Sequence, residues 1–194
     1  MRRAVVVGAI VAAATAWSAA LVAQTAKPAA APARYGLGRA ATPDEIKRLD
    51  IDVSPDGTGL PEGRGTVAEG AGLYAAKCAS CHGKAGEGAS FDRLVATDAG
   101  ENFAFGRDPA LARAIGNYWP YASTLYDYTA RTMPFTAPGT LTANEVYGLV
   151  AYLLSLNKVV PETAVMDKTT LPKVVMPAHD RFVRDNRTGG KVVK

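Results

Sequence analysis

The chain has 194 residues, which is enough for one domain with extensions or for two small domains at most. Hydrophobic residues make up 48% of it and charged residues 21%, which are the proportions of a folded soluble protein. The formal net charge is only +4 and gives no reason to expect nucleic-acid binding. Both of its cysteines lie in one short motif, which excludes a framework of structural disulfides.

The N-terminus has the features of an export signal. Met1-Arg2-Arg3 precedes an uncharged apolar run from Ala4 to Ala23, with small residues near its end. We therefore expect residues 1–23 to be a signal peptide. The run is also long enough for an uncleaved membrane anchor, which stays open as an alternative. In both cases the rest of the chain is exported.

Residues 24–65 are expected to form a linker and an extended lead segment. Gln24 to Arg34 is rich in alanine and proline, which is typical of a tether. Thr42-Pro43-Asp44-Glu45 predicts the start of a short surface helix, with Thr42 as N-cap and Pro43 at the first helical position. Asp52 to Gly65 is dense in glycine and proline and predicts a loop.

A second helix is predicted to begin at Thr66, where Glu69 completes a capping box. Gly70 and Tyr74 lie four residues apart and therefore share one face of this helix. A missing side chain beside an aromatic ring favours close contact with another helix on that face.

The helix leads into Cys78-Ala-Ser-Cys81-His82, the motif that dominates the sequence. Two thiols spaced by three residues, with a histidine directly after them, are typical of c-type haem attachment. On one helical turn both thiols face the same side and can form thioethers to one porphyrin. His82 would then be the proximal iron ligand. A thioredoxin-like redox pair, a zinc site and a plain disulfide are the alternatives, and each lacks supporting context.

The region after the motif combines loops, short helices and aromatic residues. We expect a flexible loop from Gly83, a turn of helix at Phe91 to Val95, and a helix from Pro109 to Ile115 that Gly116 stops. A further helix is expected from Ser123 to Arg131. Trp119 and Tyr121 are candidates either for core packing or for a hydrogen bond to a haem propionate.

Met133 is the candidate for the sixth iron ligand. It lies in a loop bounded by proline and glycine, far enough along the chain from His82 to reach the opposite face of a porphyrin. Methionine ligation raises the reduction potential and suits electron transfer. Met166 and Met176 are competitors in the tail, and His179 would give a bis-histidine site instead.

Thr142-Ala143-Asn144-Glu145 is another capping box and opens the longest periodic helix, which is predicted to end near Leu156. On this helix Tyr152 is placed to meet Gly70 and Tyr74. From Val159 the periodicity is lost, so residues 159–194 are expected to be an irregular basic tail, either solvated or docked on a partner.

The regions Thr66–His82 and Met133–Leu156 resemble class I cytochrome c. The resemblance implies an all-α fold over residues 66–158, with crossed N- and C-terminal helices around one covalent haem c. Cys78 and Cys81 would attach the haem, and His82 and Met133 would bind its iron. Members of that family usually have a proline soon after the motif, whose neighbouring carbonyl orients the histidine. Here no proline occurs between Gly83 and Asp108, so the sequence leaves the acceptor of the His82 ring proton open.

Other segments resemble the cytochrome subunits of periplasmic sulfite and sulfane dehydrogenases. They are Tyr35–Arg39, Thr42–Ile46, Asp50–Pro61, Asn117–Ala122, and Asn144–Tyr147 leading into Ala151–Leu154. In those systems a molybdenum subunit oxidises the sulfur compound and passes single electrons to the haem. The sulfane-type subunits carry two haems, whereas this sequence has one attachment motif and fits the sulfite type better.

The resemblance implies an electron-transfer protein of the periplasm rather than an enzyme, with no catalytic residue of its own. Its expected partners are a molybdenum-containing dehydrogenase subunit and a downstream cytochrome c or terminal oxidase. A membrane contact is expected only if the N-terminal run is retained. A general electron carrier, and a haem enzyme or gas sensor with an open sixth position, are the alternatives.

Overall fold

The structure is a computed structural model that describes residues 36–97, 104–105 and 107–183. The predicted signal or anchor and the last basic residues lie outside the described residues. The chain divides into two units, Met1–Thr42 and Pro43–Lys194. In the first unit, the described residues 36–42 are exposed and contain no helix or strand. Within the described ranges, no helix combines the length and the apolar character needed to cross a membrane.

The second unit is built mainly from helices, as the sequence predicts, with one small antiparallel sheet. The helices are α1 Pro43–Leu49, α2 Val67–Lys77, α3 Ala79–His82, α4 Ile115–Tyr118, α5 Ala122–Thr132 and α6 Ala143–Leu156. The strands are β1 Arg64–Thr66 and β2 Val165–Asp167, and 3-10 turns span Leu171–Lys173 and His179–Arg181.

The helices α2 and α6 begin at the predicted capping boxes. The Thr66 hydroxyl accepts from the Glu69 N–H at 3.2 Å, while the Glu69 carboxylate accepts from the Thr66 N–H at 2.7 Å. Thr142 and Glu145 repeat the arrangement at the start of α6. These reciprocal bonds satisfy donors that a helix start leaves without a partner.

The helices α2 and α6 touch through their backbones. Gly70 faces Gly148, and a Cβ placed on Gly70 would lie only 1.9 Å from the Gly148 carbonyl oxygen. Beside this contact the rings of Tyr74 and Tyr152 pack with their centroids 5.4 Å apart. The predicted contact face of α2 is therefore confirmed, and Gly148 is the partner that the sequence pattern did not identify.

The apolar stripe of α6 forms the centre of the core. Its buried members include Val146, Leu149, Val150, Leu153 and Leu154. Leu125 and Tyr126 of α5 pack into the same cluster, together with Met166 and Met176 from beyond α6.

The segment between the haem motif and α5 differs from the prediction. Phe91–Val95 forms bends rather than a helical turn, and the helix predicted for Pro109–Ile115 is wrong, because α4 begins at Ile115. The Asn117 side chain explains the later start. Its Oδ1 accepts from the Ala114 N–H at 2.8 Å and its Nδ2 donates to the Ala112 carbonyl at 3.1 Å, which competes with helical bonding there.

The residues before and after the expected cytochrome domain also pack against it. Residues 64–66 pair with residues 165–167 in antiparallel register, so that Gly65 lies opposite Met166. Leu171 and Met176 are fully buried, and the Val53 N–H donates to the Asp127 carboxylate at 2.9 Å. Residues on both sides of the expected domain at 66–158 thus contact it, and the burial of Leu171 and Met176 differs from the solvated alternative for that part of the tail.

The α2–α6 contact gives a direct test of the fold. Gly70→Ala forces a methyl group into the α6 backbone, so we expect it to lower the free energy of unfolding by more than about 2 kcal/mol. Gly72→Ala on the same helix is the matched control, because a Cβ there meets nothing within 4 Å. The control should stabilise the protein by about 0.5–1 kcal/mol through its helix propensity. Denaturant unfolding followed by circular dichroism measures both, and equal effects would contradict the contact.

Candidate haem site

A cavity of about 640 Å³ opens beside the C-terminal end of α2. The volume lies within the range of small-molecule and cofactor pockets, roughly 300–1,000 Å³. Most of its wall is apolar and comes from five stretches of the chain, with Leu94, Ile115, Leu125, Leu149 and Leu153 among its residues. Three cationic side chains also line it, those of Lys77, Arg93 and Arg113.

The predicted site residues meet at this cavity. Cys78, Cys81 and His82 line it from the end of α2 and from α3, and Met133 lines it from the loop after α5. Met133 is the residue at which α5 ends, with extended backbone, so its side chain leaves the helix at the cavity wall. Trp119 is also part of the lining.

The other candidate ligands lie elsewhere. Tyr121 and His179 line a second hollow, of about 400 Å³, and their rings pack edge to face at 5.2 Å. The His179 Nδ1 lies 2.7 Å from the Asp180 carboxylate. Met166 and Met176 are buried in the core and are not part of the lining of the first cavity.

The structure supplies an acceptor for the His82 ring proton. His82 Nδ1 lies 2.8 Å from the backbone carbonyl oxygen of Asp92. Because a carbonyl can only accept, Nδ1 carries the proton and Nε2 is left with its lone pair for a metal. The carbonyl ten residues after the histidine thus takes the part that a proline-linked carbonyl has in the resembling family.

The loop that follows His82 is held on both sides. The Tyr74 hydroxyl donates to the Gly83 carbonyl at 2.8 Å, and burial raises the pKa of Tyr74 to about 12, so the donor stays protonated at neutral pH. The Glu87 carboxylate accepts from the N–H groups of Lys84 and Ala85. Hydrogen bonds from its own N–H and from that of Ala85 lower the pKa of Glu87.

The segment after Asp92 is fixed by one amide side chain. Asn157 Oδ1 accepts from the N–H groups of Ala96 and Gly116, at 2.9 and 3.0 Å. Asn157 Nδ2 donates to the carbonyls of Leu94 and Leu153, at 3.1 and 2.8 Å. A Cβ on Gly116 would lie 2.5 Å from Asn157 Oδ1, so Gly116 permits this approach rather than ending a helix.

These residues fit a c-type haem better than the alternatives. Burial raises the pKa of the Cys78 thiol to about 11, whereas reactive cysteines of redox motifs have lowered pKa values. Within the described ranges, no three His, Cys, Asp or Glu side chains are grouped so that they could hold a zinc ion. An imidazole with a free Nε2, a thioether and two thiols around an apolar cavity form the donor set that a covalent haem requires.

Sequence reasoning missed two contributors to this site. The Asp92 carbonyl is a backbone group, so its bond to His82 cannot be predicted from the type of residue at position 92. Asn157 follows the predicted end of α6 near Leu156, and its long-range bonds depend on folding that a local pattern does not contain.

Comparisons with known proteins agree with this geometry. Residues 65–153 match the family model described as cytochrome c oxidase, cbb3-type, subunit III. The fold matches a chain in the crystal structure of the sulfane dehydrogenase SoxCD from Paracoccus pantotrophus, with a TM-score of 0.70 and 42% sequence identity. That match covers 79% of this chain and 74% of the other. No curated protein matches the sequence.

The bond from Tyr74 to Gly83 can be tested alone. Tyr74→Phe keeps the ring but removes the 2.8 Å bond to the buried Gly83 carbonyl, which retains only the longer 3.4 Å bond from the Gly86 N–H, so we expect a loss of about 1 kcal/mol in the free energy of unfolding. Tyr152→Phe is the control, because its ring packs on Tyr74 while its hydroxyl takes no part in holding Gly83. Denaturant unfolding compares the two variants, and an equal loss in both would contradict this role of Tyr74.

Proposed function

Since the chain belongs to the class I cytochromes c and resembles the cytochrome subunit of sulfite and sulfane dehydrogenases, we propose that it accepts electrons from such a dehydrogenase. Family membership makes it an electron-transfer cytochrome that carries haem c. We propose the identity of the electron donor, the number of haems and the residues that bind the haem. The observation that carries it is the convergence of Cys78, Cys81, His82 and Met133 on one apolar cavity.

The chain's residues have distinct tasks in this proposal. Cys78 and Cys81 would hold one haem covalently, and His82 and Met133 would bind its iron. When bound, the haem would supply a one-electron redox centre whose potential depends on these ligands. The Asp92 carbonyl orients His82, and the leucines and Ile115 exclude water from the cavity. No residue is needed as acid, base or nucleophile, so the protein itself is not a catalyst.

The close approach of Gly70 and Gly148 supports the crossed arrangement of α2 and α6 that the family implies. We include this crossing in the proposal. The crossing would place the Cys78–His82 motif at one end of the contact between α2 and α6, and the leucines of α6 at the cavity wall.

The proposed donor is a molybdenum-containing subunit that oxidises a sulfur compound. The likeness to a chain of SoxCD, a sulfane dehydrogenase, supports this class of partner. The single attachment motif favours sulfite as the substrate of the partner. Oxidation of sulfite to sulfate takes an oxygen atom from water and releases two protons and two electrons. This chain would take up these electrons one at a time at its haem site and would pass them to another cytochrome c or to a terminal oxidase.

The cellular location follows from the same proposal. An N-terminal signal at residues 1–23 would deliver the protein to the periplasm, where haem is attached to exported cytochromes. Retention of that run would leave the protein anchored to the membrane. We propose two docking segments beside the cytochrome domain at residues 66–158. They are the lead from Tyr35 to Gly65 and the basic tail at residues 159–194.

Two other functions make different demands. A general periplasmic carrier needs no dedicated partner, and a haem enzyme or gas sensor needs an open sixth position. Val53, residues 64–66 and residues 165–167 extend the fold beyond a compact cytochrome domain, and this favours a dedicated partner over a free carrier. Met133 at the cavity wall favours a closed iron site over a sensor.

The ligand assignment predicts a spectroscopic change. In Met133→Ala the oxidised protein should lose its near-infrared sulfur-to-iron absorption band, and the reduced protein should bind carbon monoxide. Met176→Leu is the matched control, because it removes a buried sulfur that does not line the cavity and preserves volume. The band should persist in the control. A band that persists in Met133→Ala would overturn the assignment.

The partner assignment predicts reduction by a sulfur compound. The tagged protein, purified gently from its native periplasm, should copurify with molybdenum, and its haem should be reduced rapidly when sulfite is added. Thiosulfate, which carries a sulfane sulfur, distinguishes the sulfane type from the sulfite type. Reduction by dithionite alone, with no molybdenum in the preparation, would favour the general carrier.

A further inference from the structure

Asn157 is connected to the haem site by more bonds than a helix end requires. A primary amide has two donor hydrogens and an oxygen with two lone pairs, and Asn157 uses all four positions. Only the bond to Leu153 is local. The other three reach backbone groups that lie 61, 63 and 41 residues away in the sequence.

The held backbone groups flank the carbonyl that binds His82. Leu94 and Ala96 follow Asp92 within four residues, and Asn157 binds the Leu94 carbonyl and the Ala96 N–H. The Leu94 carbonyl also accepts from the Ile115 N–H at 3.2 Å. The segment from Asp92 to Ala96 is therefore hydrogen-bonded both to the end of α6 and to the start of α4.

The same segment closes the loop that begins at His82. The N–H groups of Leu94 and Val95 both donate to the Gly86 carbonyl, at 2.8 and 3.0 Å, and the Gly88 N–H donates to the His82 carbonyl at 2.8 Å. The position of the Asp92 carbonyl is thus set from the loop on one side and from Asn157 on the other. The Leu94 side chain packs against the core, and the side-chain hydrogen bonds that tie this segment to the end of α6 come from Asn157.

We propose that Asn157 is a positioning residue that holds the Asp92 carbonyl against His82 Nδ1 and thereby lowers the reduction potential. A hydrogen bond from Nδ1–H makes the imidazole more basic, which stabilises the oxidised metal more than the reduced one. Loss of Asn157 lets the segment from Asp92 to Ala96 move, which lengthens that bond and raises the potential. The proposal rests on His82 being the iron ligand, as in the proposed function.

Asn157→Ser separates this role from a local one. A serine at this position can return its hydroxyl to the carbonyl four residues earlier, Leu153, and so keep the end of α6 satisfied. It cannot span the distances to Leu94 and Ala96 that the longer amide covers. Asn157→Ala removes all four bonds, and both variants are neutral, so neither adds a charge that would itself change the potential.

The matched control is Asn144→Ala. Asn144 lies on α6, and its Oδ1 accepts from the Arg64 N–H at 2.9 Å, at the other end of the helix from Asn157. It lies outside the cavity lining and outside the segment that follows Asp92.

The experiment is a redox titration of the haem-loaded full chain, with NMR of the His82 ring proton in the reduced state. We expect both Asn157 variants to raise the midpoint potential and to speed exchange of the Nδ1 proton at least tenfold, while Asn144→Ala leaves both unchanged. If Asn157→Ala fails to fold, Asn157→Ser decides. Variants that lose stability but keep the wild-type potential and exchange rate would overturn the proposal.

His82→Ala distinguishes this failure from failure of the proposed function. If the haem spectrum is the same without His82, the ligand assignment itself is wrong. If the spectrum changes while the Asn157 variants keep the wild-type potential, only the role of Asn157 is refuted.

Discussion

The backbone contact between α2 and α6 is the constraint on which the remaining structure depends. A Cβ on Gly148 would lie 3.3 Å from the Gly70 nitrogen, and one on Gly65 would lie 2.1 Å from the Gly148 nitrogen. The helices can approach this closely only because side chains are absent at these positions. The approach sets the distance between the helix that carries the thiols and the helix whose leucines line the cavity. The salt bridge between Lys77 and Glu145, at 3.0 Å, lies at the surface and adds little to it.

Near this contact, the backbone of the site is held by hydrogen bonds from a few side chains to backbone carbonyl oxygens. The Asp92 carbonyl faces the His82 ring, the Gly83 carbonyl accepts from Tyr74, and the Leu94 carbonyl accepts from Asn157. The Gly83 bond is buried and the Leu94 bond partly buried, and such carbonyls need a donor. Two of the three donors, Tyr74 and Asn157, lie outside the Cys78–His82 motif, so the loop after the motif is held by residues beyond it as well as by the motif itself.

Sequence patterns predicted the parts of this protein that depend on local chemistry. The capping boxes at Thr66 and Thr142 fixed two helix starts, and the apolar period of α6 identified its buried face. The attachment motif and Met133 indicated the residues that meet at the cavity. Contacts between segments that are distant in the sequence could not be predicted from these local patterns. Neither the pairing of residues 64–66 with 165–167 nor the four bonds of Asn157 has a local signature, because each depends on the complete fold.

The strand pair would also set an order of events in the export that we propose. Gly65, just before α2, lies opposite Met166, which follows the helices α1 to α6. A chain that crosses a membrane N-terminus first cannot make this pairing until Met166 has emerged, because closing so long a loop requires both ends to be present. During that interval the thiols of Cys78 and Cys81, which are partly buried in the finished fold, would be accessible for the proposed attachment of haem. The late closure of the sheet would thus let covalent attachment precede folding.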